Sequence, residues 1–342
     1  MASYPEEVLF SPTASCNLRC PHCNSKSSKT TLPVKAAKKF LIDCKKIGIK
    51  RIGFTGGEPF LACSFLYSIT RFAVKEGLIF TRIMTNGVWF KNDIYLKEAL
   101  GKLFDAGYDG SLTVSVDAYH KQDLKKVARF IETALSIWRR PDLISIVYVT
   151  GRNAATKEKL SELAGLLKGM LSGFGGSYAH IKSIGNCSSR AGFPAEAGSR
   201  KRRENLPYHI KIAKIDLSPV GRARHLKDPW DGKWFKEDLC EGPGNLFFVE
   251  PSGAVKPCCG YASESDALYI GNIRKDSPPR MIKYIRQNRL LYAIFNSGLS
   301  RIKSKIVKYG VKFPGKTSNN CFFCHYILTK VPRGLLLASL EG

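Results

Sequence analysis

VLFSPTASCNLRCPHC, residues 8 to 23, is the stretch that decides how the rest of the chain is read. A short apolar run gives way to Pro12 and small residues, and three cysteines follow within eight positions: Cys16, Cys20 and Cys23. A strand that ends in a thiol-bearing loop sets metal ligands at a carboxyl edge, where α/β folds place their ligands. A cubane iron-sulfur cluster on three protein thiolates keeps one iron open to a further ligand. Zinc wants four N or S donors, and His22 is on hand to supply the fourth.

Outward from that strand the pattern repeats. VLFSPTAS, RIGFTGG, FTRIMTNG, SLTVSVD and LISIVYVT begin near residues 8, 51, 80, 111 and 143, giving a βα unit roughly every 30 residues. Segments 34–48 and 123–138 between them space apolar residues as an amphipathic helix does, with Lys and Arg on the other face. A sixth strand is expected over 209–219, and the Gly, Ser and Arg-rich residues 172–206 before it read as a mobile insertion. Six units predict an α/β fold built as an open, partial (β/α)6 barrel over residues 1–225, with a flat doubly wound sheet as the rival. After residue 226 the repeat stops, and a Cys, Gly and Pro-rich second module over 226–342 is expected.

The 342 residues carry 54 Lys and Arg against 28 Asp and Glu, a formal net charge of +26, with 44% hydrophobic residues and 11 cysteines. That hydrophobic content rules out intrinsic disorder, and the length rules out a disulfide-stapled miniprotein. The first ten residues lack the basic and apolar regions of a signal peptide and no run is long enough to span a bilayer, so a cytoplasmic location is expected. In that reducing setting the cysteines point to metal or redox chemistry. The basic charge invites an acidic peptide, nucleic acid or an anionic membrane surface. No nucleic-acid-binding signature supports the second, while the basic amphipathic stretch 280–309 can lie on a membrane.

The C-x3-C-x2-C spacing of Cys16, Cys20 and Cys23, together with GFTGGEPF at the end of the second strand, resembles the radical S-adenosylmethionine (SAM) enzymes. The resemblance implies that the three cysteines hold a [4Fe-4S] cluster whose open iron is chelated by SAM. It also implies that Gly56, Gly57, Glu58 and Pro59 hold the SAM amino group, with the paired glycines allowing close backbone approach. Ser115 and Asp117 end the fourth strand, where the family often binds the ribose, and Asn86 in TNGVW lies at the same edge. In that family an electron from the cluster cleaves SAM to methionine and a 5′-deoxyadenosyl radical, which abstracts hydrogen from substrate.

Cys240, Cys258, Cys259, Cys321 and Cys324 form a second group. NLFFV and AVKP read as a hairpin turning at Pro251, Ser252 and Gly253, which delivers residues 258 and 259 to its far end. This half is similar to the SPASM or twitch auxiliary module of many radical SAM enzymes. That resemblance implies a second [4Fe-4S] cluster on Cys240, Cys258, Cys321 and Cys324, with zinc the alternative for four thiolates. Taken in order, FTGGE, TNGVW, SVDAYH, the PCC pair and the late C-x2-C are similar to the epipeptide epimerases, which convert L residues of a ribosomal peptide to D. Carried over, Cys259 becomes the hydrogen donor, a precursor peptide the substrate, and a flavodoxin or ferredoxin type protein the electron donor. One departure is visible: that family places an Asp ligand in the first hairpin strand, where this chain has Asn245 and Leu246. His120 and Arg222 are further candidates for contact with SAM or substrate, and Cys44 and Cys63 read as core thiols.

Overall fold

Five short strands alternate with four helices in the first 150 residues: β1 (Glu7–Phe10), α1 (Val34–Lys46), β2 (Arg51–Phe54), α2 (Cys63–Lys75), β3 (Ile79–Thr85), α3 (Asp93–Asp105), β4 (Ser111–Ser115), α4 (Leu124–Trp138) and β5 (Ile144–Thr150). The computed structural model describes residues 4–24, 28–150, 155–171, 180–186, 209–236, 244–260, 265–296 and 298–341. The helices start where the sequence supplies caps. Asn92 accepts the Tyr95 N–H at the head of α3, and Asp123 accepts the Lys125 and Lys126 N–H groups at the head of α4. Each neighbouring strand pair is parallel, as right-handed helical crossovers require.

Alternation along the strands divides the two faces of the sheet. Val8, Phe10, Ile52, Phe54, Leu112, Val114, Ile144 and Ile146 join the helices in one buried cluster. The opposite face carries smaller and more polar side chains. Thr113 and Ser145 share a hydrogen bond of 2.9 Å across β4 and β5, and Thr81 donates to Glu7 and to the Ile52 carbonyl. Helices on one face and a polar concavity on the other are the signature of a partial barrel, against the doubly wound alternative.

Beyond β5 the chain continues through α5 (Ala155–Leu171), β6 (His180–Asn186) and β7 (His209–Asp216), and β7 inserts between β5 and β6 in the sheet. The expected sixth strand is therefore present as β7. Residues 180–186, expected to be part of an irregular insertion, instead pair along β7 in parallel register. Backbone pairing with an available edge outweighs the local Gly and Ser composition there.

The expected hairpin is present as β8 (Leu246–Val249) and β9 (Ala254–Lys256), followed by the short β10 (Gly271–Asn272). It does not form a sheet of its own. β8 runs parallel to β1, Glu7 opposite Leu246 and Phe10 opposite Val249, so one sheet of ten strands runs β10-β9-β8-β1-β2-β3-β4-β5-β7-β6. Its two ends do not pair among the described residues, and the barrel is open. The remaining chain is helical: α6 (Pro278–Gln287), α7 (Arg289–Asn296), α8 (Leu299–Lys308), α9 (Asn320–Lys330) and α10 (Arg333–Glu341). Among the described residues no helix is long and apolar enough to cross a membrane.

Candidate active site at the carboxyl ends of the strands

The cysteine loop leaves β1 and is clamped at once by the turn that follows β2. Gly57 N donates to Thr13 O at 3.0 Å, and Glu58 N donates to Ser15 O at 2.8 Å. A Cβ on Gly57 would fall 2.1 Å from Ser15 O, and one on Gly56, at φ +123°, 2.3 Å from Ser11 Oγ. The paired glycines thus let this turn lie flat against the chain's own cysteine loop. At Gly57 that close approach is to the backbone of the cysteine loop, and at Gly56 to the Ser11 side chain.

Glu58 is fully buried, and its carboxylate is shared among protein donors. Oε1 accepts from Phe60 N at 3.2 Å and from Thr85 Oγ1 at 2.9 Å, and Oε2 accepts from Asn86 N at 2.8 Å. Burial lifts its pKa to about 7 in spite of those three donors. Pro59, also buried, opens the short helical turn that follows, and Phe60 stacks on Trp89 with ring centroids 4.5 Å apart.

Asn86, just past β3, joins three of the motifs. Its side-chain amide donates to Asn17 Oδ1 at 2.7 Å and toward Cys16 Sγ at 3.8 Å, while its Oδ1 accepts the Val88 N–H. Gln122 Nε2 donates to the Asn86 carbonyl and, at 2.7 Å, to the Ser115 carbonyl. Gln122 and Asn17 escape the sequence reading, because nothing in their spacing marks them and only the folded loops bring them to Asn86.

Asp117 is fully buried beyond the end of β4. Its Oδ1 accepts from Tyr119 N and His120 N and lies 2.8 Å from His120 Nδ1, and its Oδ2 accepts from Val149 N. Burial pushes its pKa up, but His120, His22 and these donors outweigh it and hold the carboxyl below its ordinary range. His22 packs edge-on against His120 at 4.7 Å. Burial, aided by His120 and Arg222, lowers His22 to about 4, so it is neutral at pH 7. Arg222 donates from Nε to Cys20 O at 2.9 Å, which ties the segment after β7 to the cysteine loop.

The structure brings Cys16, Cys20 and Cys23 together on that loop, Cys20 buried and the other two partly exposed. Burial, then the charges that Cys23 and Cys16 would carry, push Cys20 up to about 12, and burial also raises Cys16. Binding metal therefore means displacing protons from these thiols. Among the described residues, His22, Asp117 and His120 are a group whose ligand atoms all lie within 4.8 Å of one another. Three soft thiol donors on one loop, two of them partly open to solvent, suit a cluster of several irons with one iron accessible.

The second cysteine group is assembled from distant segments. The Cβ position of Gly260 lies 2.9 Å from Cys321 Sγ and 3.5 Å from Cys258 Sγ, so both thiols gather around that glycine. Cys324 is buried one turn along α9 from Cys321. Cys258 is buried and its neighbour Cys259 is exposed. Cys240, the fourth candidate ligand, lies outside the described residues. Asn319 caps α9 by accepting the Phe322 N–H, and its amide donates to Asp216 O at 2.6 Å, fastening the helix that carries Cys321 and Cys324 to the end of β7.

Residues 10–149 match the sequence profile of the Radical SAM superfamily. The chain is 28% identical over 243 residues to the probable GTP 3′,8-cyclase of Methanopyrus kandleri, covering 66% of this chain and 74% of that protein. It is 30% identical over 125 residues to the GTP 3′,8-cyclase of Chlorobaculum tepidum, and there it spans 36% of each. These relatives bear the name of cyclases and not of peptide epimerases. Among solved structures, native anSMEcpe with bound AdoMet and Cp18Cys peptide aligns at a TM-score of 0.51 and 13% identity, covering 98% of this chain and 99% of that one. SuiB of Streptococcus suis bound to S-adenosylmethionine aligns at 0.49 and 16%, covering 85% and 67%. Over residues 10–149 the chain thus resembles the Radical SAM superfamily, and its open α/β fold is similar to that of native anSMEcpe.

Proposed function

We propose that this radical SAM enzyme acts on a ribosomally made peptide and inverts selected residues from L to D. The observation that carries the proposal is the contrast between Cys258 and Cys259. Adjacent in sequence, they have opposite surroundings: one is buried beside Cys321 and the other is exposed. A buried thiol gathered with others suits a metal ligand, and an exposed neighbour suits a hydrogen donor.

When bound, SAM and the cluster on Cys16, Cys20 and Cys23 supply a 5′-deoxyadenosyl radical that removes a Cα hydrogen. The chain's own residues hold and orient. With the Glu58 carboxylate engaged by Phe60, Thr85 and Asn86, the Gly56 to Pro59 segment has main-chain groups to offer the amino end of SAM. Asp117, fully engaged by Tyr119, His120 and Val149, shapes the loop beside Ser115 where the ribose would lie. Cys259 returns a hydrogen atom to the opposite face of Cα, and its sulfur is restored by one electron from a flavodoxin or ferredoxin type donor and one proton from solvent. Cys240, Cys258, Cys321 and Cys324 would hold a second four-iron cluster.

The test is turnover of a candidate peptide in heavy water. Inversion by a thiol adds one deuterium per inverted centre, because thiol hydrogens exchange with solvent. A product lacking a pair of hydrogens would mean crosslinking or dehydrogenation and would end the epimerase proposal. The Cys259→Ala variant should cleave SAM but leave the peptide uninverted. A second proposal, radical chemistry on GTP, draws on the cyclase relatives. Consumption of GTP without any peptide, with SAM cleaved in step, would favour it.

A further inference from the structure

At the end of the sheet opposite the cysteine loop, a cavity of about 410 Å3 opens between the residues leading into β1, the end of α1 and helix α6. Tyr4 and Ile47 precede the first residues of β1 and β2, so the cavity lies at the amino ends of the strands. Its apolar floor is the buried Ile282 with the half-buried Ile47, and the exposed Pro279, Lys283, Arg286 and Gln287 stand around it. Both rim cations are exposed, and neither has an acidic partner among the described residues. They belong to residues 277–340, which contain twelve Lys or Arg and no Asp or Glu.

We propose that this cavity docks an acidic, amphipathic segment of a polypeptide, with one apolar side chain on the floor and flanking carboxylates against Lys283 and Arg286. The proposal rests on the peptide proposal above and names where a second part of the same substrate is held. Charge complementarity selects an acidic partner, and the apolar floor selects a side-chain anchor over a bare polyanion. A small substrate at the mouth of the barrel cannot also reach a cavity behind the sheet. An extended peptide gains about 3.3 Å of reach per residue. Burial weighs against a membrane: Met281, Ile282 and Ile285 of α6 and Leu299, Ile302 and Ile306 of α8 face the core, and the exposed apolar side chains there, such as Tyr284 and Val307, are few.

The test uses the full chain and three fluorescent probes: a fifteen-residue Glu-rich peptide with one Leu, the same peptide with Leu replaced by Ser, and a fifteen-nucleotide single-stranded DNA. The Leu peptide should bind most tightly, and the Lys283→Glu, Arg286→Glu double variant should weaken it at least tenfold. The charge-matched Arg301→Glu, Lys308→Glu variant should bind it like the parent. SAM cleavage without peptide should be the same in all three proteins, which separates loss of docking from loss of radical chemistry. Equal weakening by both double variants would show binding to diffuse charge and overturn the proposal. So would no weakening by the rim variant, equal binding of the Leu and Ser peptides, or tighter binding of the DNA. If docking holds while no peptide is ever modified, the cavity stands and the peptide-modification proposal falls.

Discussion

The two cysteine groups are built on opposite plans. Cys16, Cys20 and Cys23 come from one loop, whose shape is set by backbone hydrogen bonds to the Gly56 to Glu58 turn. Cys258, Cys321 and Cys324 come from a hairpin end and a helix more than sixty residues further on, held together by tertiary contacts such as Asn319 to Asp216. A site made of neighbours in sequence needs little from the fold beyond a platform. A site made of distant segments exists only once the sheet and helices have docked.

That contrast is most sharply tested by removing each group. Replacing Cys16, Cys20 and Cys23 with Ala should abolish SAM cleavage and remove about four irons per chain. Replacing Cys258, Cys321 and Cys324 should leave SAM cleavage measurable and remove any remaining iron. Iron and sulfide content with 5′-deoxyadenosine formation would check both; loss of SAM cleavage in the second variant would show the two sites to be one unit.

Next in size is the clamp. Gly57→Ala forces a methyl into Ser15 O and should cost about 3 kcal/mol, the upper end for overpacking, measurable by denaturant unfolding. The Asn319→Ala variant loses an N-cap and a bond to Asp216 O, at a cost of about 1–2 kcal/mol. Gly101→Ala serves as the control within α3, because its Cβ would meet nothing within 4 Å. Helix propensity predicts a gain of about 1 kcal/mol there.

Glu58 sharpens the comparison through pH. Its ordinary pKa of 4.5 is raised to about 7 by burial, so the folded state binds a proton that the unfolded state has released between those values. Stability from this group is therefore full below pH 4.5, falls as pH rises toward 7 and is flat above it. Unfolding free energy measured against pH for the parent and for Glu58→Gln should differ by a term that declines by about 3 kcal/mol across that window. A parallel pair of curves would place the Glu58 pKa near its ordinary value.

Much of the site was legible before folding. The thiol spacing, the GGE turn and the strand-end Ser115 and Asp117 all fall at carboxyl ends, because alternating βα units put every such loop on one rim. Local signals failed at residues 180–186, where a strand forms against a composition that argues for irregular chain. They are also silent on the protein partners of Glu58 and Asp117, whose carboxylates accept from the protein's own N–H groups. A motif residue's partners depend on which loops meet it, and spacing carries no information about that.

What the sequence by itself determined is local: the helix and strand periods, the caps, the glycine pair and the thiol triplet, each the product of interactions within a few residues. Tertiary structure alone decided that β8 continues the barrel sheet beside β1, that Cys258 turns inward and Cys259 outward, and that Gln122 and Asn17 meet at Asn86. Those outcomes depend on which edges and surfaces are left unpaired after the first helices and strands pack. Unpaired backbone and exposed apolar area are properties of the whole chain, and they are settled only when it folds.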